Sequence, residues 1–442
     1  MTLSQTVAST SVAGRFGVRR LLSTRGFSRL LGSRLAAQWG DGVFQAGLGG
    51  AVLFNPERHA DPMVIAAGLA VLLLPYSLVG PFTGALLDRW DRRRILVAAN
   101  LLRGVLILLV ALAVGVGVAG APLYLGALLV MGISRFVLAG LSAGLPHVVP
   151  PRHLVQANAL AATVGAAVTV MGGMCAIGLR NLVGSGNTGS AWVTAGAVVG
   201  SLIAAVIATG FRRGQLGPDS SDKLDCTIEH PGAIRAVARG LRDGLAAAAQ
   251  VPSVAAGLVA LAAHRLSFGI ATLVTLLLYR NSFSSHGIFR AGLAGVGQLL
   301  AAGAAGLLLA AVLTPLLVAR FGRRRTVRGA LLAAGLAIVT LGLPMIMPTL
   351  LAAAFALSTA GQVVKLSLDA TVQADVGDEA RGRVFALYDT VFNVGYVLAV
   401  ALAATAVPAD GHAPELLLLA AAAYLIAAPL YTIIDRPARS AG

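Results

Sequence analysis

Two periodic runs of polar side chains interrupt an otherwise apolar chain. Arg34, Gln38, Asp41 and Gln45 recur at i, i+4, i+7 and i+11, which places them on one face of a helix. Gln362, Lys365, Asp369 and Gln373 repeat the pattern at i, i+3, i+7 and i+11. Asp389, Asn393 and Tyr396 share a third face, while Arg103, Arg135 and the adjacent pair His264 and Arg265 stand in apolar surroundings. Such groups can bind protons, pair with one another or recognise a charged ligand. Asp41 can carry a proton through a dry cavity, or it can stay ionised against Arg34 or Arg135. Lys365 and Asp369 can neutralise each other or belong to a gate. His264 and Arg265 point in different directions on a helix, so one can face a ligand while the other packs.

The chain holds no His-Glu-x-x-His and no Gly-x-x-x-x-Gly-Lys-Ser/Thr, so zinc proteolysis and nucleotide binding lack their motifs. Cys175 and Cys226 are the only cysteines, too few for a disulfide framework or a structural metal. The expectation is a protein that is not an enzyme and has neither cofactor nor metal.

The elements that must position these residues are membrane helices. Of 442 residues, 57% are hydrophobic and 12% charged, with a mean hydropathy of +0.83. A soluble domain carries about twice that charge. A spanning helix needs about 20 apolar residues. The sequence predicts twelve: 28–54, 62–87, 94–118, 121–146, 154–179, 189–211, 251–279, 288–319, 325–344, 347–374, 382–408 and 412–434. The first is the least hydrophobic, and a hydropathy window should score it poorly. Charge inside a bilayer is costly, which makes Arg34, Asp41, Arg103, Arg135, Arg265, Lys365, Asp369 and Asp389 functional candidates by default.

The net charge of +16, from 34 basic against 18 acidic residues, would suggest nucleic acid in a soluble protein. Sorted by side with the N-terminus inside, twenty-five positives fall inside and only Arg58, Arg180, Arg280 and Arg290 outside. That asymmetry is the positive-inside signal; it puts both termini in the cytoplasm and removes nucleic acid as a partner. Membrane lipids are the expected neighbours of the basic loops.

The predicted organisation is a cytoplasmic tail (1–27), a six-helix bundle (28–211), a cytoplasmic linker (212–250), a second six-helix bundle (251–435) and a short cytoplasmic tail (436–442). In the linker, Arg235, Arg239 and Arg242 fall at i, i+4 and i+7, giving either an amphipathic helix on the membrane surface or a solvated linker helix. The halves repeat. Gly84-Ala-Leu-Leu-Asp88-Arg89-Trp90-Asp91-Arg92-Arg93-Arg94 is echoed by Pro315-Leu-Leu-Val-Ala319-Arg320-Phe321-Gly322-Arg323-Arg324-Arg325, with Ala319 in place of the acid. Internal six-helix repeats are a mark of transporters whose site lies between the repeats.

Over its whole spanning length the chain resembles the major facilitator superfamily. Gly84, Asp88, Arg89, Arg92 and Arg93 match that family's motif between the second and third helices, with Asp91 where the family usually has Gly. Gln38-Trp39-Gly40-Asp41-Gly42 is similar to the macrolide-efflux-like branch. Arg135 lacks the Gln that follows it in antiporter relatives, and Gly165, Gly172 and Gly173 echo the antiporter motif of the fifth helix without its Pro.

The resemblance implies an all-α polytopic membrane protein with twelve helices in two pseudo-symmetric bundles. It implies a monomer in the bacterial cell membrane that exports small hydrophobic or amphipathic molecules by alternating access, driven by protons. Arg34, Gln38, Asp41, Gln45, Arg135, His264 and Arg265 would serve the cavity. Gly84, Asp88, Arg89, Arg92, Arg93, Lys365, Asp369 and Asp389 would form the cytoplasmic gate. The cations and acids within the spans leave a positive balance, so an anionic or phospholipid-like substrate stays open beside a drug.

Overall fold

Helix after helix follows from long apolar runs punctuated by Pro, Gly and short basic turns. The computed structural model describes residues 21–53, 91–150, 153–184, 186–217 and 233–435, with residues 62, 63, 66–68, 70 and 71 between the first two stretches. Gly84, Asp88 and Arg89, most of the predicted span 62–87, most of the N-terminal tail and the tail 436–442 lie outside the described residues.

The elements are α1 (Arg25–Leu53), α2 (Arg92–Gly115), α3 (Ala121–Gly144) and α4 (Leu154–Val183). Next comes α5, in two pieces, Asn187–Gly196 and Val198–Thr209. After it come α6 (Ala233–Gln250), α7 (Pro252–Leu277), α8 (Gly292–Phe321), α9 (Arg323–Ala337), α10 (Met347–Asp375), α11 (Asp378–Ala404) and α12 (Pro414–Ile434). Ten helices among the described residues are long and apolar enough to cross a membrane. As the sequence led one to expect, α1 is not among them; its polar stripe lowers its hydropathy.

Local chemistry sets the ends. The Asp91 side chain accepts from the Arg93 N–H at 3.0 Å and caps α2. Proline opens α3, α7, α10 and α12, where a missing N–H costs nothing. Gly322, at φ +78°, ends α8 and turns the chain directly into α9.

The chain forms two compact units, one holding α1 through Ala51 with α2 to α5, the other α6 to α12. In the first, Phe27, Leu30, Leu96, Val137, Leu141 and Phe211 lie in one buried cluster. In the second, Leu273, Val274, Leu331, Leu357, Leu417 and Tyr424 anchor a larger one. Polarity runs opposite to that of a soluble helix. Along α2, Asn100 and Arg103 are buried while Leu102, Leu108, Leu109 and Leu112 are exposed, as a lipid-facing surface requires.

The linker helix α6 has a partner that the sequence did not name. Ala248 joins a buried cluster with Val254, Leu261, Leu368, Val372, Val384 and Tyr388. Gly244 abuts the Arg383 carbonyl of α11 so closely that a Cβ there would lie 2.6 Å from its oxygen, and Asp243 meets Arg383 at 3.6 Å. This helix therefore packs within the second unit, against α11.

Candidate functional site

The first unit is built around a buried ion pair. Arg103 Nη1 of α2 donates to Asp41 Oδ1 of α1 at 3.2 Å, with side chains 1% and 6% exposed. The guanidinium also donates to Ser201 Oγ of α5 at 2.9 Å, to Ser134 Oγ of α3 at 3.4 Å and to the Ala37 carbonyl at 3.4 Å. One arginine thus ties four helices to one carboxylate, and its Nε and both Nη atoms all have acceptors.

The sequence pointed to Arg34 or Arg135 as the partner of Asp41, and this needs correcting. Arg34 Nε donates to Gln38 at 3.3 Å and its Nη1 to Ser142 at 3.4 Å. Ser134 takes the α3 position that faces the pair, and Arg135, about 100° further round the helix, is half-buried elsewhere. Of the polar stripe on α1 only Asp41 is buried; Arg34, Gln38 and Gln45 are half-buried.

Glycine lets Asp41 sit so deep. At Gly42 a Cβ would run into the Thr169 carbonyl of α4, and at Gly172 into the Trp39 carbonyl of α1. At Gly40 it would lie 2.9 Å from the Ala197 carbonyl oxygen of α5. The two glycines beside Asp41 thus let α4 and α5 close on α1 at backbone distance. The signal for this was the Gly40-Asp41-Gly42 triplet itself, with Gly172 and Gly200 waiting on the partner helices.

Arg92 and Arg93 donate inside the same unit. Arg92, 5% exposed, donates through Nη1 to the carbonyls of Ala143 at 3.2 Å and Leu216 at 3.1 Å. Arg93 donates to the Thr209 carbonyl at 2.9 Å. The Ala143 and Thr209 carbonyls lie in the last turns of α3 and α5, which otherwise lack donors.

In the second unit the adjacent residues of α7 do part company. His264 Nδ1 lies 2.6 Å from the Tyr424 hydroxyl of α12, and its ring fills the space where a side chain at Gly361 of α10 would go. His264 is a packing residue. Arg265 turns to α11 instead. Its Nε donates to the Phe392 carbonyl at 2.6 Å, and its guanidinium carbon lies over the rings of Phe392 at 3.9 Å and Tyr396 at 4.7 Å.

Lys365 and Asp369 of α10 form an i, i+4 pair at 2.9 Å, and Lys365 Nζ stands 5.5 Å from the Tyr388 ring of α11. Asp389, one residue on, is exposed. A cluster the sequence did not reveal lies at the foot of α9. Asp435, 3% exposed, takes Arg324 at 2.7 Å and Arg323 at 3.7 Å, while Arg323 also meets Asp375 at 3.3 Å. The basic run of the second-half repeat thus meets two acids distant in sequence. Among the described residues no group of three His, Cys, Asp or Glu could hold a metal.

No protein-family model matches the chain. An uncharacterized MFS-type transporter of Mycobacterium tuberculosis and another of Mycobacterium bovis are each 44% identical to it over 421 residues, covering 95% of this chain and 93% of theirs. The chain belongs to the major facilitator superfamily. Solved structures agree on the fold of this MFS transporter. A bacterial homologue of the iron transporter ferroportin matches with a TM-score of 0.68 at 16% identity, over 93% of this chain and 99% of that one. A POT family peptide transporter matches with 0.66 at 12% identity, over 94% and 97%. Their cargoes are their own; at such identity the likeness extends to the fold of this MFS transporter and no further.

Proposed function

We propose that this MFS-type protein is a proton-driven exporter of small hydrophobic or amphipathic molecules in the bacterial cell membrane. In this reading twelve helices cross the bilayer, both termini are cytoplasmic, and the molecule works as a monomer with no cofactor and no enzymatic step. The single observation that carries the coupling is the buried Asp41–Arg103 pair, in which one carboxylate is held by a four-helix network.

The mechanism follows from charge. Ionised Asp41 anchors Arg103, and with it α2, α3 and α5, to α1. A proton on Asp41 removes the counter-charge and leaves Arg103 to its serine and carbonyl partners alone. The attraction that holds the pair is then lost, and the packing around the glycine crossings of α1 is released. Binding and loss of the proton on opposite sides would convert a pH gradient into a cycle of helix rearrangement.

A second reading, translocation of a lipid or lysophospholipid, gains support from Arg265, a buried cation with no acid paired to it among the described residues. Reconstituted proteoliposomes with an imposed pH gradient separate the two, using a panel of cationic drugs, neutral macrolides and lysophospholipids. Gradient-dependent drug movement supports the exporter; lipid movement without drug movement supports the second reading. An Asp41→Asn variant that still drives uphill export with unchanged pH dependence overturns the coupling role of Asp41.

A further inference from the structure

The geometry points to Arg265 as the anchor for an acidic group, phosphate or carboxylate, on the transported molecule, with Phe268, Phe392 and Tyr396 as the wall for its apolar body. This rests on the transporter reading above and names the substrate class.

Arg265 is 7% exposed, in the middle of a helix long and apolar enough to span the membrane. A cation there is costly unless something compensates it. Lys365, on α10 of the same unit, is already neutralised by Asp369 at 2.9 Å. Arg265 has no such partner. Among the described residues no carboxylate pairs with it, and its only hydrogen bond is from Nε to the Phe392 carbonyl. Both Nη groups are without acceptors, yet neither belongs to the polar atoms sealed inside the packing, so the edge of the guanidinium opens outward.

Everything around Arg265 aims that edge. The bond from Nε fixes the plane. The guanidinium carbon lies over the rings of Phe392 at 3.9 Å, Tyr396 at 4.7 Å and Phe268 at 5.9 Å. Aromatic faces stabilise a cation without consuming its N–H donors. What is left is a forked pair of donors held in one orientation, the arrangement that grips carboxylate or phosphate in bidentate fashion. Phe268 and Phe392 are half-buried, so they present an apolar surface next to the charge. The ligand that fits is an acidic head on an apolar body.

The test uses the purified full chain in phosphatidylcholine nanodiscs, titrated calorimetrically with octyl phosphate and octyltrimethylammonium, with inorganic phosphate as competitor. Octyl phosphate should bind at least about tenfold more tightly than octyltrimethylammonium, about 1.4 kcal/mol. Arg265→Gln should erase that preference. Arg265→Lys, which keeps the charge but not the fork, should weaken octyl phosphate alone and serves if the Gln variant does not fold. Competition by inorganic phosphate assigns the site to a free anion, and failure to compete assigns it to an amphiphile; either supports the anchor. Equal affinity of the native protein for both octyl compounds, or a preference that survives in Arg265→Gln, overturns it. The pH-gradient assay keeps the outcomes apart: gradient-driven transport without any anion preference sinks this assignment and leaves the transporter reading intact, and anion binding without gradient-driven transport does the reverse.

Discussion

Arg103 and Asp41 meet at 3.2 Å almost wholly out of reach of solvent, and the remaining donors of Arg103 go to helices other than its own. The pair is therefore both a charge balance and a four-way splice. Removing one partner of a buried pair strands the other and costs about 3–5 kcal/mol, whereas replacing both can be nearly neutral. Arg103→Leu and Asp41→Asn should each destabilise strongly in detergent unfolding, and the double variant should lose far less than the two losses combined. Simple additivity in that double-mutant cycle would show that the two side chains act independently.

The crossings of α1 give a prediction with opposite signs at neighbouring glycines. At Gly42 a Cβ would collide with backbone, the Thr169 carbonyl, which has no rotamer to yield; at Gly49 nothing lies within 4 Å. Gly42→Ala should cost about 1–3 kcal/mol by overpacking. Gly49→Ala, in the same helix, should be neutral or gain about 0.5–1 kcal/mol from helix propensity. Thermal unfolding midpoints of the two variants check both signs at once.

Much of this architecture was legible in the sequence because membrane helices announce themselves by length and hydropathy. The predicted span 347–374 is observed as Met347–Asp375, and 412–434 as Pro414–Ile434. The polar stripe on α1 and the Lys365–Asp369 pair were legible for a similar reason, since helical spacing alone places their members on one face. Partners across helices were not. Nothing local in Arg103 says that it, rather than Arg34 or Arg135, faces Asp41; that depends on which way α2 is rotated and on the close approach that glycine permits. Asp435 was invisible for the same reason, being more than a hundred residues from the arginines it holds. The docking of α6 could not be read from its basic face, because its contacts run through Asp243, Gly244, Ala248 and the Arg383 backbone.

The sequence left open which of His264 and Arg265 packs, and in the structure the His264 ring wedges between α10 and α12. Tyr424→Phe removes the hydroxyl 2.6 Å from its Nδ1 and leaves a buried polar atom unsatisfied, at a cost of about 1–3 kcal/mol. Since the imidazole faces α10 and α12 packing, the variant should transport substrate with an unchanged KM per folded molecule. A raised KM with undiminished stability would return His264 to the ligand site.

Asp435 holds Arg324 at 2.7 Å and Arg323 at 3.7 Å although those arginines are 43% and 31% exposed, so screening must weaken the attraction. A pair with one wet partner contributes about 1 kcal/mol or less. What sets this one apart is that Asp435 itself is buried, so it retains a desolvation penalty when the arginines are removed. Arg324→Ala should therefore destabilise more than Asp435→Asn, which removes charge and penalty together. The difference should shrink as salt is raised from low to molar concentration. Unfolding curves for the two variants across a salt series decide it: equal losses at every salt concentration would mean that Asp435 is hydrated and that the contact is an ordinary surface pair.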